Sequence, residues 1–328
     1  MQLTLEQKIH QMFILGYEGE NPLSCPEFIQ ALKKGLGGVI FFTQNIYEKE
    51  KFKAAVDTIN KTALVPLFLG IDQEGGRVER TLNLYGGSHY LSQRDSAIKG
   101  EDTVRQQAQW ISQELNYFGL NMNFAPVLDV DTNPNNPIIA ERSFSKDTEK
   151  VVQYGKIAID TYKKNNIIPV GKHFPGHGDT SVDSHHEMPE CDLPKEELEK
   201  THIKPFRELA EDLPAIMVSH VHYSAFDKQK IPASVSENIV KNYLRKVLNY
   251  KGLIISDDMV MGGIKRFSAF EACKKGIEAG INMFIYRTAN EVTENLIKSI
   301  IKAVKKGEID EKLIDKSIEH INKIKNCC

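Results

Sequence analysis

The sequence predicts an α/β chain folded as one (β/α)8 barrel, the TIM-barrel architecture, with a single domain taking in residues 1–328. Three observations lead there. Short apolar runs alternate with longer stretches of three- and four-residue apolar spacing, so strands and helices alternate along the chain. The short runs are apolar throughout rather than at every second position, as strands buried on both faces of a parallel sheet are. Ionisable residues gather just after consecutive runs, at the strand ends where such barrels carry their chemistry.

Eight strands are expected, at 12–17, 38–42, 66–72, 121–129, 168–172, 215–220, 253–257 and 283–286. Between them, 103–118 and 148–165 show helical spacing, and the tail 309–325 sets Leu313, Ile314, Ile318, Ile321 and Ile324 along one face of a closing helix. No low-complexity linker or short repeat interrupts the series, so no second domain is expected. A length of 328 residues suits one barrel with insertions, and 41% hydrophobic residues supplies a large core.

Lys+Arg 42 against Asp+Glu 44 leaves a net charge of −2, which argues against a nucleic-acid partner. No basic segment followed by a long apolar run opens the chain, and no 18-residue apolar stretch occurs. Neither a leader nor a membrane contact is therefore expected. The five cysteines (Cys25, Cys191, Cys273, Cys327, Cys328) are scattered and lack zinc spacing. That fits a reducing compartment, and the expected location is cytoplasmic. Composition leaves the oligomeric state open.

The polar strand ends predict one pocket. Asp72 closes the third strand, ahead of Gln73-Glu74-Gly75-Gly76-Arg77. Asp129 and Asp131 follow the fourth, with Glu141-Arg142 on its loop; Lys172-His173 close the fifth, His220 and His222 the sixth, and Ser256-Asp257-Asp258 the seventh. The densest stretch is 171–189, GKHFPGHGDTSVDSHHEMP, with His173, His177, His185 and His186 among glycines and prolines that turn the backbone tightly. A solvated surface loop is the plain alternative, but a loop this polar directly after a buried strand is where α/β enzymes place active sites.

Within it, Asp183-Ser184-His185 has the spacing that puts Asp183 and His185 on one side of an extended segment. A carboxylate beside an imidazole fixes its tautomer and favours its protonated form, as an acid/base dyad needs. A purely structural hydrogen bond is the alternative. At the seventh strand end an aspartate can be a nucleophile, a metal ligand or a helix cap, and Asp258 suits the cap of the next helix better than Asp257. Asp72, Arg77, Arg80, Arg142 and Lys172 would bring a carboxylate and several cations to the pocket, suited to gripping hydroxyls and carbonyl oxygens; a rim salt-bridge network reads the same residues differently. The glycines of 171–178 are not in dinucleotide-binding order. Six of the ten histidines lie after strands five and six, which raises a metal centre as the competing chemistry. No His-x-His follows strand one, and Arg142 and Lys172 would oppose a cation, so neither metal nor cofactor is expected.

Several segments in order resemble a known family. They are 37–42 (GGVIFF), 71–80 (IDQEGGRVER), 124–129 (FAPVLD), 141–144 (ERSF), the run KHFPGHGDTSVDSH from Lys172 to His185, and 255–259 (ISDDM). Together they are similar to the single-domain bacterial β-N-acetylglucosaminidases of glycoside hydrolase family 3 that act in cell-wall recycling. The 172–185 run is the specific part. The resemblance implies a retaining hydrolase in which Asp257 attacks the anomeric carbon and His185, paired with Asp183, is the general acid/base. It implies that Asp72, Arg80, Arg142, Lys172 and His173 hold the N-acetylglucosamine ring. Other family 3 glucosidases take their acid/base glutamate from a second domain that this length leaves no room for. The segment 282–287 departs from the pattern by ending on the bulky, basic Arg287.

The expected function is hydrolysis of terminal β-linked N-acetylglucosamine from peptidoglycan (GlcNAc-1,6-anhydroMurNAc) fragments, the partner being a small amino-sugar or muropeptide. A glycoside phosphorylase, a metal-dependent amidohydrolase on the same barrel and a non-catalytic sugar-binding protein are the alternatives. Products formed in phosphate buffer, chelator sensitivity, and binding without turnover separate them.

Overall fold

The computed structural model describes residues 3–180 and 188–326. Eight strands close a barrel: β1 (Phe13–Leu15), β2 (Gly38–Phe41), β3 (Phe68–Ile71), β4 (Met122–Asn123), β5 (Ile168–Phe174), β6 (Ala215–Val218), β7 (Leu253–Asp258) and β8 (Met283–Tyr286). Neighbours in sequence are neighbours in the sheet, and β8 returns to β1, where Ile14 lies opposite Ile285 on one side and Gly38 on the other. All eight pairings are parallel. The (β/α)8 barrel expectation is met.

Strand bounds differ from the apolar runs where side-chain chemistry intervenes. The expected strand 121–129 shrinks to two residues because Pro126 has no N–H to give the ladder. Pairing with β5 resumes as a bridge between Val127 and Lys172, and the Leu128 N–H donates to the Lys172 carbonyl at 2.7 Å. β5 instead outruns its apolar stretch, through Lys172 and His173 to Phe174. Its register against β6 shifts between Gly171 and Phe174. Side chains of a regular strand alternate between faces, yet Lys172 and His173 both line the pocket described below.

The helices form for local reasons and bury one face each. In Thr148–Lys164 the Asp147 side chain accepts the N–H groups of Glu149 and Lys150, with Glu149 in the first turn and Lys163 and Lys164 in the last. Val151, Ala158, Ile159 and Tyr162 form its buried stripe, each fully buried Val- or Ile-sized side chain stabilising by roughly 1.5–3 kcal/mol. Gly155 packs on Leu128 and Leu209: a Cβ there would lie 2.6 Å from Leu128 Cδ2, so any larger residue would have to displace that side chain. The expected closing helix spans Glu311–Lys325, buries Ile314, Ile318, Ile321 and Ile324, and docks on Leu5–Gln11, with Lys8 Nζ 2.6 Å from Asp315. Among the described residues no helix is long and apolar enough to cross a membrane. Cys25, Cys191 and Cys273 are free thiols.

Candidate active site

A pocket of about 740 Å³, counted out to its mouth, opens at the C-terminal ends of the strands, within the range for small-molecule sites. Asp72, Arg80, Arg142, Lys172, His173, His177 and Asp257 give it polar walls, and Val78, Ile138, Met217 and Met261 the apolar ones.

Its base is a chain of alternating charges. Lys172, 2% exposed, has Nζ at 2.7 Å from Asp72 Oδ1 and 2.5 Å from Glu74 Oε1. Arg142 grips Glu74 with two parallel bonds, Nε to Oε2 at 2.8 Å and Nη2 to Oε1 at 2.9 Å. Arg80 Nη2 completes the row at 3.3 Å from Asp72 Oδ2. Burial alone would push both carboxyls up. Lys172 and Arg80 override it at Asp72, which stays well below the usual range, and Arg142 and Lys172 hold Glu74 at about 2. Both are ionised at neutral pH, and removing one partner of such a buried pair typically costs about 3–5 kcal/mol. The buried Nε of Arg80 has no hydrogen-bond partner among the described residues. A ligand oxygen could satisfy it, and buried donors are seldom left without one.

Asp129 holds the loop after β5. Fully buried, it accepts the His177 N–H at 2.6 Å and lies 2.6 Å from His173 Nδ1. Burial raises its carboxyl, but His173 and these hydrogen bonds outweigh it and keep it at about 2. The pairing orients the His173 ring so that Nε2 faces Arg142 Nη2 at 3.4 Å. His177, 1% exposed and 2.8 Å from Thr180 Oγ1 through Nδ1, is pushed down to about 4 by burial and is neutral. The segment 132–136 supports this loop. Asn133 Nδ2 donates to the carbonyls of Asp179 and Thr180, and Asn136 Nδ2 to that of His177 at 2.8 Å. A Cβ on Gly178 would meet the Val130 carbonyl at 1.7 Å, so the two backbones touch only because residue 178 is glycine.

Asp257 projects into the pocket from the end of β7, half-buried, and Oδ1 accepts the Asp258 N–H at 2.8 Å. It makes no ion pair with another described residue. Burial acts to raise its carboxyl; His173, His220 and Lys172 together bring it below the usual value. It is therefore an ionised carboxylate facing the cavity, a group whose chemistry suits an oxygen nucleophile.

The sequence matches the Glycosyl hydrolase family 3 N terminal domain over residues 4–324. The chain belongs to this family. It is 36% identical over 254 residues to the β-hexosaminidase of Tolumonas auensis, covering 76% of this chain and 75% of that one. It is 30% identical over 334 residues to β-hexosaminidase A of Pseudoalteromonas piscicida, covering 92% of this chain. The structure of a glycoside hydrolase family 3 β-N-acetylglucosaminidase from Paenibacillus sp. str. FPU-7 superimposes with a TM-score of 0.94 at 32% identity over 99% of this chain. The chain spans 55% of the length of the Pseudoalteromonas protein and 63% of the Paenibacillus chain.

In this family 3 barrel the pocket gathers Asp72, Arg80, Arg142, Lys172, His173 and Asp257 from the residues singled out in the sequence. Asp183 and His185 lie outside the described residues. Three expectations are corrected. Asp258 does not cap the next helix: Ser268 does so, accepting the Glu271 N–H, and the Asp258 carboxylate pairs instead with Arg287. His220 and His222 do not line the pocket. His220 is buried between Ser234 Oγ at 2.7 Å and the Asp258 carbonyl at 3.1 Å, and His222 meets the Ile231 carbonyl. Arg77 turns to Glu141 and to the carbonyls of Pro137 and Ile138, bracing the loop that carries Arg142.

Sequence reasoning passed over Glu74, which joins Lys172 to Arg142. Its signal was the two-residue spacing from Asp72, which sets both carboxylates toward one side of an extended segment. Nothing in the sequence pointed to Met217 or Met261. Among the described residues no group of three His, Cys, Asp or Glu side chains forms a metal-ligand set.

Proposed function

We propose that this chain is a retaining exo-β-N-acetylglucosaminidase acting on terminal β-linked N-acetylglucosamine. The observation that carries the reading is Asp257, an ionised carboxylate facing the pocket beside a row of mutually neutralised charges. In the first step an Asp257 oxygen bonds to the anomeric carbon as the glycosidic C–O bond breaks. His185, oriented by Asp183, gives its proton to the leaving oxygen. In the second step His185 takes a proton from water, and that water's oxygen displaces Asp257, so two inversions retain configuration. Asp72, Arg80, Arg142, Lys172 and His173 hold the ring; the unsatisfied Arg80 Nε favours an oxygen-rich ligand. The names of the relatives support N-acetylhexosamine as the sugar. Peptidoglycan fragments of the GlcNAc-1,6-anhydroMurNAc type are the proposed substrates, as the 172–185 run suggests.

The test compares turnover of a chromogenic N-acetylglucosaminide with that of the matching glucoside, then traps the enzyme with a fluoro-sugar bearing an activated leaving group. The N-acetylglucosaminide should be strongly preferred and the label should map to Asp257. Asp257→Ala should lower turnover by several orders of magnitude without altering the fold, because the bond-forming atom is gone. A label on Asp258 would reverse the assignment of the two aspartates, and sugar 1-phosphate as the main product in phosphate buffer would make the enzyme a phosphorylase.

A further inference from the structure

The peptide joining Asp257 to Asp258 is held in an unusual place. On β7 the register against β8 pairs Ile255 with Met283 and Asp258 with Ile285, so three steps on β7 answer two on β8. The extra residue makes a bulge, and a bulge leaves a residue outside the regular ladder. Asp257 stands at this irregular point, and its Oδ1 is oriented by the Asp258 N–H at 2.8 Å. What fixes that N–H is residue 258 itself. Its side chain is buried and does not line the pocket, with Oδ2 receiving Arg287 Nε at 2.5 Å and Oδ1 the Val260 N–H at 3.2 Å. Its carbonyl receives His220 Nε2 at 3.1 Å.

We propose that Arg287, at the end of β8, is a positioning residue for the nucleophile, acting through the Asp258 carboxylate. The inference rests on Asp257 being the nucleophile. Burial pushes the Asp258 carboxyl up, and Arg287 opposes that push with its charge one residue from Asp257, while its own side chain is 47% exposed and keeps much of its hydration. Without it, Asp258 must either take up a proton or turn toward water. Either response loosens the turn that aims the Asp258 N–H at Asp257. Reacting groups tolerate little displacement: a shift of about 1 Å can cost about 100-fold in rate.

The experiment measures the rate of covalent trapping by an activated fluoro-sugar, per labelled enzyme, with the label mapped. An activated leaving group needs little proton assistance, so this rate reports the nucleophile and is insensitive to the His185 loop. Arg287→Gln should trap about 10- to 100-fold more slowly with inhibitor binding within about threefold of the parent. Asp258→Asn added to Arg287→Gln should recover much of that loss, because the uncompensated buried charge is gone. A pair that only held the fold together would lower the melting temperature and the labelled fraction and leave the rate per labelled enzyme unchanged, which would overturn the inference. So would a double variant as slow as Arg287→Gln. A label on a residue other than Asp257 would overturn the nucleophile assignment, a separate failure. If Arg287→Gln does not fold, Arg287→Lys keeps the charge but loses the planar Nε–H; slower trapping supports the proposal and parental trapping overturns it.

Discussion

Asp257 and Asp258 are adjacent, chemically identical, and put to opposite uses. One faces the cavity without an ion pair among the described residues; the other is buried against Arg287. The register shift in β7 falls between Ile255 and Asp258, and only the structure says which of the two aspartates faces inward. The residue with the most specific mechanistic demand is His185. In the proposed mechanism it protonates the leaving oxygen and later deprotonates water, which calls for a pKa near the working pH; an unperturbed imidazole titrates at about 6.5. His185→Ala should therefore reduce turnover of N-acetylglucosaminides with poor leaving groups by about 100-fold or more, while activated aryl glycosides lose much less. Asp183→Ala should show the same leaving-group dependence more mildly. Steady-state rates across a series of aglycones check this; equal losses on every aglycone would remove His185 from the acid/base role.

At the scale of elements, the loop after β5 is shaped by the segment after β4. Asn136 is central: it donates to the His177 carbonyl and accepts the N–H groups of Ile138 and Ile139 at 2.8 and 2.9 Å. Each buried polar group left without a partner costs about 1–3 kcal/mol, so Asn136→Ala should destabilise the protein by roughly 2–4 kcal/mol. It should also depress activity, since Ile138 and Arg142 line the pocket from the same stretch. Denaturant titration read beside kcat/KM checks both effects, and an unchanged midpoint would show that water replaces these bonds. Helices with strong periodicity were legible at this scale: 103–118 is observed as Glu101–Phe118 and 148–165 as Thr148–Lys164. The 121–129 run was misjudged because apolar composition registers burial but not the missing proline donor.

The whole molecule couples these buried charges to pH. His10, His177, His202 and His220 are held below their ordinary values, in each case chiefly by burial. Unfolded, they bind protons from about pH 6.5 downward. The unfolded state then holds more protons than the folded one, and stability falls as pH falls. Asp72, Glu74 and Asp129 are depressed in the folded state, so their contribution is full above the ordinary carboxyl range and is lost toward pH 2. Acid unfolding should therefore begin with the histidines, between about pH 6.5 and 4, before the carboxylates contribute. Urea midpoints at pH 7.5, 6, 5 and 4 test the order; a flat midpoint from 7.5 to 5 would mean that the histidines are not buried as neutral rings.

The sequence by itself determined the alternation of strands and helices, the single barrel, and the identity of most of the pocket. Apolar periodicity reports burial directly, and in a parallel barrel every strand points its C-terminal end the same way, so polar residues after successive strands must share a rim. Tertiary structure decided which of those residues meet. His220 has the same character as His173 and the same place at a strand end, yet it braces the backbone of Asp258 while His173 lines the cavity. What Glu74 and Arg287 pair with became visible only in the structure, the partners lying 98 and 29 residues away at Lys172 and Asp258. Pairings across that distance depend on strand order, register and a bulge in β7, and local sequence carries no record of them.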